Sequence, residues 1–355
     1  MKILRDVLFD EFHKLPVQEK GAYMKDGDRL FHVLYAQQFT RAVLDELGAL
    51  ATNIRFIAKS DKGMRFLQDL LPHKRVMLYF TQPSTRTFLS FCAACQILGM
   101  RIGEVRDRSV SSELKGESQE DSVRTFSSYF DLIIMRSEIG GLAERMAWLL
   151  SNTDRPVPII NAGSGKDQHP TQSLLDIYTL QRSFEKRGGI DGKKIVFVGD
   201  LARGRTVRSL SQLLTNYQDV EQVFVAPPEL QIGEDIRLML EAAGVTFHVT
   251  SDFAAVIPEA DAIYMTRIQD EWDQVKGESA RINTASFCFG LEQLKHLRGD
   301  AVLMHPFPRR NEIDPAVDRD PRAVYWRQMR NGMWIRSALI ASLCNGADEI
   351  WNYAG

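Results

Sequence analysis

The sharpest chemical feature of the chain is the octapeptide Phe80-Thr81-Gln82-Pro83-Ser84-Thr85-Arg86-Thr87. It follows an apolar run that reads as a strand and opens a stretch with helical spacing. Ser84 suits the N-cap of that helix, whose first turn leaves several backbone N–H groups without intrahelical partners. Those amides and the positive end of the helix dipole make a site for an anion. The hydroxyls of Ser84, Thr85 and Thr87 add donors, and Arg86 brings a planar guanidinium that matches phosphate oxygens. The same eight residues also read as an ordinary capped helix start with a surface arginine. Taken singly, His169 before Pro170 reads as a loop or satisfied core histidine and Arg136 as a surface charge. Lys115, beside Gly116, reads as a solvated lysine.

Other patterns fail on inspection. Gly163-Ser164-Gly165-Lys166 suggests a nucleotide P-loop, but Ile160 stands where the first glycine belongs and Asp167 follows the lysine. Cys92-Ala93-Ala94-Cys95 has CxxC spacing, yet it lies in a helical stretch with no second pair, and Cys288 and Cys344 are isolated. The turn at Gly199-Asp200 has the air of a dinucleotide fold without GxGxxG. Trp326, Met329, Met333 and Trp334 read as core.

The elements that must position these groups alternate. Helical spacing covers Gln38 to Lys59, Thr87 to Leu98, Gly141 to Leu150, Pro170 to Glu185 and about Ala323 to Leu343. Short apolar runs that suit buried parallel strands are Arg75 to Phe80, Asp131 to Met135 and Val157 to Ile160. A second series follows at Lys194 to Val198, Gln222 to Ala226, Thr246 to Val249, Ala262 to Met265 and Ala301 to Met304. This predicts an α/β protein of two domains, each a mostly parallel open sheet with helices on both faces, bridged by a long C-terminal helix. In such sheets ligands sit beyond the carboxyl ends of strands. The domains expected are 38–169 with 332–355, and 170–331, after an appended arm or helical extension over 1–37.

The 355 residues exceed one ordinary core, and 44% hydrophobic with 25% charged residues is a soluble, globular balance. A formal charge of −2 gives no whole-molecule attraction for nucleic acid or a membrane, so any anion site is local. No apolar run approaches the roughly 20 residues that span a bilayer. The start, with Asp10, Glu11 and Glu19, does not read as a signal peptide. Four cysteines in a chain of this size suggest no disulfide framework and fit a reducing compartment, so the cytoplasm is expected.

Ser84-Thr85-Arg86-Thr87 after a strand resembles the carbamoyl phosphate loop of the aspartate/ornithine carbamoyltransferase family. His169-Pro170-Thr171-Gln172 with Leu174-Leu175-Asp176 resembles that family's His-Pro-Thr-Gln signature. Then follow Gly204-Arg205-Thr206, Met265-Thr266-Arg267-Ile268-Gln269, His305-Pro306-Phe307-Pro308-Arg309, Asn331-Gly332 and Arg336-Ser337-Ala338-Leu339. They run in family order from about residue 38 to 345.

The resemblance implies transfer of a carbamoyl group from carbamoyl phosphate to the amino group of L-aspartate, a step of pyrimidine biosynthesis, with no cofactor and no metal. It implies that Ser84, Thr85, Arg86 and Arg136 hold the phosphate, that Thr87 and His169 donate to the carbonyl oxygen, and that Gln172 holds the carbamoyl NH2. Arg205 and Arg267 then bind the two carboxylates of aspartate, Gln269 assists, and the backbone near Phe307 and Pro308 touches the amine. Lys115, with Ser111 or Ser112, matches the family's mobile loop that reaches a neighbouring subunit's site, which implies a homotrimer or higher assembly. A regulatory chain or a dihydroorotase is a partner that the family admits. An ornithine-type acceptor is the nearest alternative; His305-Pro306-Phe307-Pro308 and the Thr266 to Gln269 run favour aspartate over it. A silent oligomeric partner of the same fold is the other. The chain departs from the family at Phe88, where the loop usually carries a second arginine. Either one cation is missing near the phosphate end, or one structural ion pair has been replaced by packing.

Overall fold

The run Arg75 to Phe80 is buried from its second residue on, and only a strand covered on both faces can bury side chains that alternate in direction. Runs of this kind organise a computed structural model that describes residues 4–107, 116–164, 168–270, 273 and 281–354. The chain divides into two units, Met1–Leu175 with Gly332–Gly355, and Asp176–Asn331.

In chain order the first unit holds α1 (Phe9–Lys14), α2 (Val17–Lys20), the short hairpin β1 (Lys25–Asp26) and β2 (Arg29–Leu30), then α3 (Arg41–Ile57) and α4 (Asp61–Gln68). It continues through β3 (Arg75–Phe80), α5 (Thr85–Ile97), β4 (Arg101–Val105), α6 (Gln119–Tyr129), β5 (Leu132–Ser137), α7 (Leu142–Ser151) and β6 (Ile159–Ser164). Helix α8 (Pro170–Phe184) begins in this unit and finishes in the second. There follow β7 (Lys194–Val198), α9 (Arg205–Leu214), β8 (Glu221–Val225), α10 (Glu234–Ala242), β9 (Phe247–Thr250), α11 (Phe253–Val256) and β10 (Ala262–Met265). Then come α12 (Leu291–His296), β11 (Val302–Met304), α13 (Tyr325–Leu343) and α14 (Ala347–Trp351). Helix α13 returns the chain to the first unit at Gly332.

Both sheets are parallel throughout, in the orders β4-β3-β5-β6 and β11-β10-β7-β8-β9. In each, the chain moves out one way from a central strand and then returns to that strand's other side. The order therefore reverses between β3 and β5, and again between β7 and β10. Loops leaving the carboxyl ends of such strand pairs diverge and open a crevice, where ligands of open α/β sheets bind.

The arm is more than an appendage. Leu4, Phe12, Met24, Leu34 and Tyr35 join Met77, Tyr79, Ile133, Met135 and Met146 in one core. Val33 pairs with Ile160 beyond the β6 edge, its N–H donating to Ile159 O and its carbonyl accepting from Asn161 N. The buried Glu144 carboxylate of α7 fastens the arm, accepting from Lys20 Nζ at 3.0 and 3.1 Å, lying 2.9 Å from His13 Nδ1, and accepting from the Tyr35 hydroxyl. A carboxylate in such a place needs partners, since an unpaired charge would resist burial. In the second unit Val196, Val198, Val223, Val225, Ile263, Met265 and Leu303 line one face of the sheet.

Two expectations are corrected here. Trp326 and Met329 are not core: Trp326 is 45% exposed and Met329 38%. The buried side of α13 runs through Tyr325, Gln328, Gly332, Ile335 and Leu339, and positions 326 and 329 fall off that stripe. Strand β6 begins later than expected and runs on through Asn161-Ala162-Gly163-Ser164, small and polar residues that carry no strand signature but are buried here.

Candidate active site

In the first unit the anion-suited turn leaves β3 at the reversal point. It is stitched to the neighbouring strand: Thr81 N, Gln82 N and Thr81 Oγ1 all donate to the Arg136 carbonyl, at 3.0, 3.4 and 3.3 Å. Ser84 occupies the N-cap of α5 with extended backbone, and its hydroxyl accepts no hydrogen bond from the first turn. The expectation of a capped start is thus half met. The position is right, and the hydroxyl and first-turn amides are not consumed by one another. Thr87 is buried, while Thr85 and Arg86 are exposed.

The Arg136 side chain is 8% exposed, and its Nη1 donates to Ala162 O at 3.1 Å. His169, 4% exposed, accepts on its carbonyl from Gln172 N and Ser173 N and so starts α8, with Pro170 at the first helical position. Gly163 shows how close these two side chains come. A Cβ there would lie 2.6 Å from Arg136 Nη1 and 3.3 Å from His169 Cδ2, and the backbone is at φ +113°. The glycine is thus the floor on which a guanidinium and an imidazole converge. Gln172 is buried in the same first turn of α8. Asn161 Oδ1 accepts from Gly163 N at 2.9 Å while its Nδ2 donates to Leu34 O. Gln168 accepts from Ala36 N and donates to Gln37, so the end of the arm braces the residue before His169.

Phe88, where the resembled loop carries a second arginine, packs inward and has an arginine from another segment against it. Its ring is buried edge-on to Phe80 at 5.4 Å, and the Arg106 guanidinium lies over it at 4.3 Å.

In the second unit the cluster forms where β7 and β10 end. Gly199, at φ +116°, lets the chain pass Thr266, whose carbonyl would sit 2.2 Å from any Cβ. Asp200 is fully buried and ties both turns together: one oxygen accepts from Arg203 N at 3.2 Å and the other from Gln269 N at 3.0 Å. Burial pushes this carboxyl above its ordinary value, against the opposing pull of those two amides and of Arg203 and Arg267. Arg205 opens α9, and Arg267 donates from Nη1 to Ile268 O at 2.8 Å. Arg205, Arg267 and Gln269 are all half-buried at the ends of adjacent strands.

Phe307 takes left-handed backbone (φ 57°) before a cis Pro308. Its N–H donates to His305 Nδ1 at 2.8 Å, so His305 carries its proton on Nε2, which lies 2.6 Å from Glu312 Oε1. Burial is the largest single influence on the Glu312 carboxyl and works to raise it, but the hydrogen bond and attraction from His305, together with the backbone N–H groups of Glu312 and Arg310, hold the group below its ordinary value.

The structure therefore groups the expected residues by unit: Ser84, Thr85, Arg86, Thr87, Arg136, His169 and Gln172 in the first, and Arg205, Arg267, Gln269, Phe307 and Pro308 in the second. Lys115, Ser111 and Ser112 lie outside the described residues. Gly163, Asp200 and His305 are supporting residues that the motifs quoted above did not single out for these roles. A glycine between a strand and the HPTQ run was the available signal for the first. For Asp200 the signal was an acidic residue one glycine beyond an apolar strand.

Comparison with known proteins agrees with this division. Residues 32–182 match the family model described as aspartate/ornithine carbamoyltransferase, carbamoyl-P binding domain. Residues 191–343 match the Asp/Orn binding domain of the same family. The chloroplastic aspartate carbamoyltransferase 1 of Pisum sativum is 40% identical over 319 residues, 90% of this chain and 80% of its own. The aspartate carbamoyltransferase catalytic subunit of Vibrio cholerae is 43% identical over 282 residues, 78% of this chain and 87% of its own. Among solved structures, Trypanosoma cruzi aspartate transcarbamoylase in complex with carbamoyl phosphate and aspartate superposes with a TM-score of 0.79 at 33% identity, covering 88% and 96% of the two chains. The catalytic subunit of M. jannaschii aspartate transcarbamoylase gives 0.78 at 35% identity, covering 89% and 98%. With both of its domain models matched in order along most of its length, the chain belongs to the aspartate/ornithine carbamoyltransferase family.

Proposed function

We infer that this chain transfers the carbamoyl group of carbamoyl phosphate to the amino group of L-aspartate, giving N-carbamoyl-L-aspartate and phosphate, a step of pyrimidine biosynthesis. The observation that carries this is the identity of about two residues in five with aspartate carbamoyltransferases over 90% of the chain. Each unit, moreover, presents a cationic cluster at the reversal point of a parallel sheet.

In this reading the uncharged amine nitrogen attacks the carbonyl carbon, an oxyanion forms, and the bond from carbon to the phosphate oxygen breaks as the nitrogen sheds a proton. The α5 amides, Ser84, Thr85, Arg86 and Arg136 take up the charge of the departing phosphate. Thr87 and His169 donate to the carbonyl oxygen, and a donor fixed before charge develops typically contributes about 2.7–4 kcal/mol to lowering the barrier. Burial beside Gly163 suits His169 to hold one orientation, and the first turn of α8 offers Gln172 to the carbamoyl NH2. Arg205 and Arg267 receive the two carboxylates because a guanidinium fork meets a carboxylate with two parallel hydrogen bonds. Gln269 assists, and the backbone at Phe307 and Pro308 meets the amine.

Lys115 is the reason to propose a homotrimer with shared sites. Mixing Lys115→Ala with His169→Ala chains should recover part of the activity, because some sites then draw intact groups from both. No recovery after verified subunit exchange speaks against sharing. The four cysteines are all free thiols, and we propose the cytoplasm as the compartment. A ureido assay with aspartate and ornithine in parallel tests the function. Product from aspartate alone is expected, product from ornithine alone overturns the acceptor, and no product from either overturns the activity.

A further inference from the structure

The family's phosphate loop carries a second arginine where this chain has Phe88, yet the place is not without a cation. The Phe88 ring is buried one helical turn below Ser84, its N–H donating to Ser84 O at 3.2 Å. Phe80 meets it edge-on, and the Arg106 guanidinium lies over it, its central carbon 4.3 Å from the ring centre. Stacking of this kind holds an arginine by the attraction between its charge and the ring's electron-rich face, while its N–H edge stays available to an anion.

The strand register gives that arginine a defined position. Phe80 pairs with Arg136 on one side of β3, and Tyr79 pairs with Val105 on the other. Arg106, one residue beyond Val105, therefore leaves its strand at the level of Arg136 near the end of β5. Neighbouring strands are about 4.8 Å apart, so the two arginines flank, at roughly equal distance, the strand end from which the Ser84 turn departs. Arg106 is exposed where Arg136 is buried, as suits a charge that meets a ligand arriving from solvent.

We propose that Arg106 is a further phosphate-binding residue of this site, carried in from the end of β4 and held over Phe88 in place of the missing loop arginine. The proposal rests on the function inferred above and names the phosphate dianion of carbamoyl phosphate as its ligand. Arg106→Gln keeps much of the side chain's bulk and removes the charge. Loss of one charge-assisted contact at a partly exposed position should raise the KM for carbamoyl phosphate about tenfold and weaken inhibition by inorganic phosphate in parallel. Turnover at saturation and the KM for aspartate should move less than about twofold, since neither depends on that contact. Phe88→Leu, which removes the stacking surface, should act in the same direction and less. Adding Phe88→Arg to Arg106→Gln returns a cation by the other route and should recover most of the loss.

A folded Arg106→Gln enzyme with unchanged KM for carbamoyl phosphate and unchanged phosphate inhibition overturns the proposal. So does a variant whose only change is a lower melting temperature, because a cover for Phe88 would do no more than that. If the wild type forms no carbamoyl aspartate, the function falls, and calorimetry with inorganic phosphate on wild type and Arg106→Gln still decides whether this arginine binds phosphate.

Discussion

Replacing Gly163 by alanine should disable the phosphate cluster without touching any of its charged or hydroxylated groups. The new Cβ would lie 2.6 Å from Arg136 Nη1 and 3.3 Å from His169 Cδ2, on backbone at φ +113°. The backbone conformation alone costs a residue with a side chain about 1–3 kcal/mol. Arg136 must also retreat, which strains or breaks its bond to Ala162 O, and a hydrogen bond from a charged group is worth about 1.5–3 kcal/mol. Of this, about 2 kcal/mol should appear as lost phosphate binding, or roughly 30-fold in affinity. Carbamoyl phosphate is titrated at saturating aspartate, with inorganic phosphate as inhibitor and thermal melting alongside. Gly188→Ala is the control: its φ is also positive, at +79°, but nothing lies within 4 Å of the added methyl, so it should lose stability and keep its kinetics. A Gly163→Ala enzyme with wild-type KM for carbamoyl phosphate would refute the reasoning, because Arg136 would then not need the room that glycine leaves.

Asp200→Asn keeps one acceptor and sets an NH2 group against the other amide, so the turns carrying Arg203 and Gln269 should loosen. We expect the KM for aspartate to rise about tenfold or more while phosphate inhibition stays near wild type, a split that steady-state kinetics reads directly. Glu144→Ala strands the Lys20 ammonium in a buried place and should cost about 3 kcal/mol or more of stability in denaturant titration, with specific activity of the folded fraction retained. Glu312 is held below its ordinary 4.5, so it binds its proton less readily in the fold than in the unfolded chain. Its contribution is present above that value and lost as pH falls below it, and Glu312→Gln should show a shallower acid limb in thermal melts.

The sheets were legible because their strands announce themselves. Arg75 to Phe80, Lys194 to Val198 and Ala262 to Met265 are apolar runs bounded by breaks, and a strand buried on both faces must look that way. Strand β4 was not, since Arg101-Ile-Gly-Glu-Val105 lies at a sheet edge with charges outward, and its Gly103 is there to admit the Phe130 ring. Helix α6 was missed although Ser118 caps it, because its exposed face is polar and its buried face includes serines. The residues proposed to meet ligands were marked by ordered motifs whose types match the charges involved. Those that hold them were not, because Gly163 and Asp200 act through a missing atom and through backbone amides, and neither leaves a mark on residue spacing. The arm shows the same limit: a buried Glu144 among Lys20, His13 and Tyr35 joins positions more than a hundred residues apart.

The central claim is that the two cationic clusters serve one reaction between a phosphate ester and a dicarboxylate. N-(phosphonacetyl)-L-aspartic acid carries both kinds of anion in one molecule and is found bound to the Trypanosoma cruzi neighbour. Calorimetric titration of this chain with it should give a single saturable site per chain, at least about 100-fold tighter than carbamoyl phosphate or aspartate alone. Affinity no better than that of either substrate by itself would contradict the account.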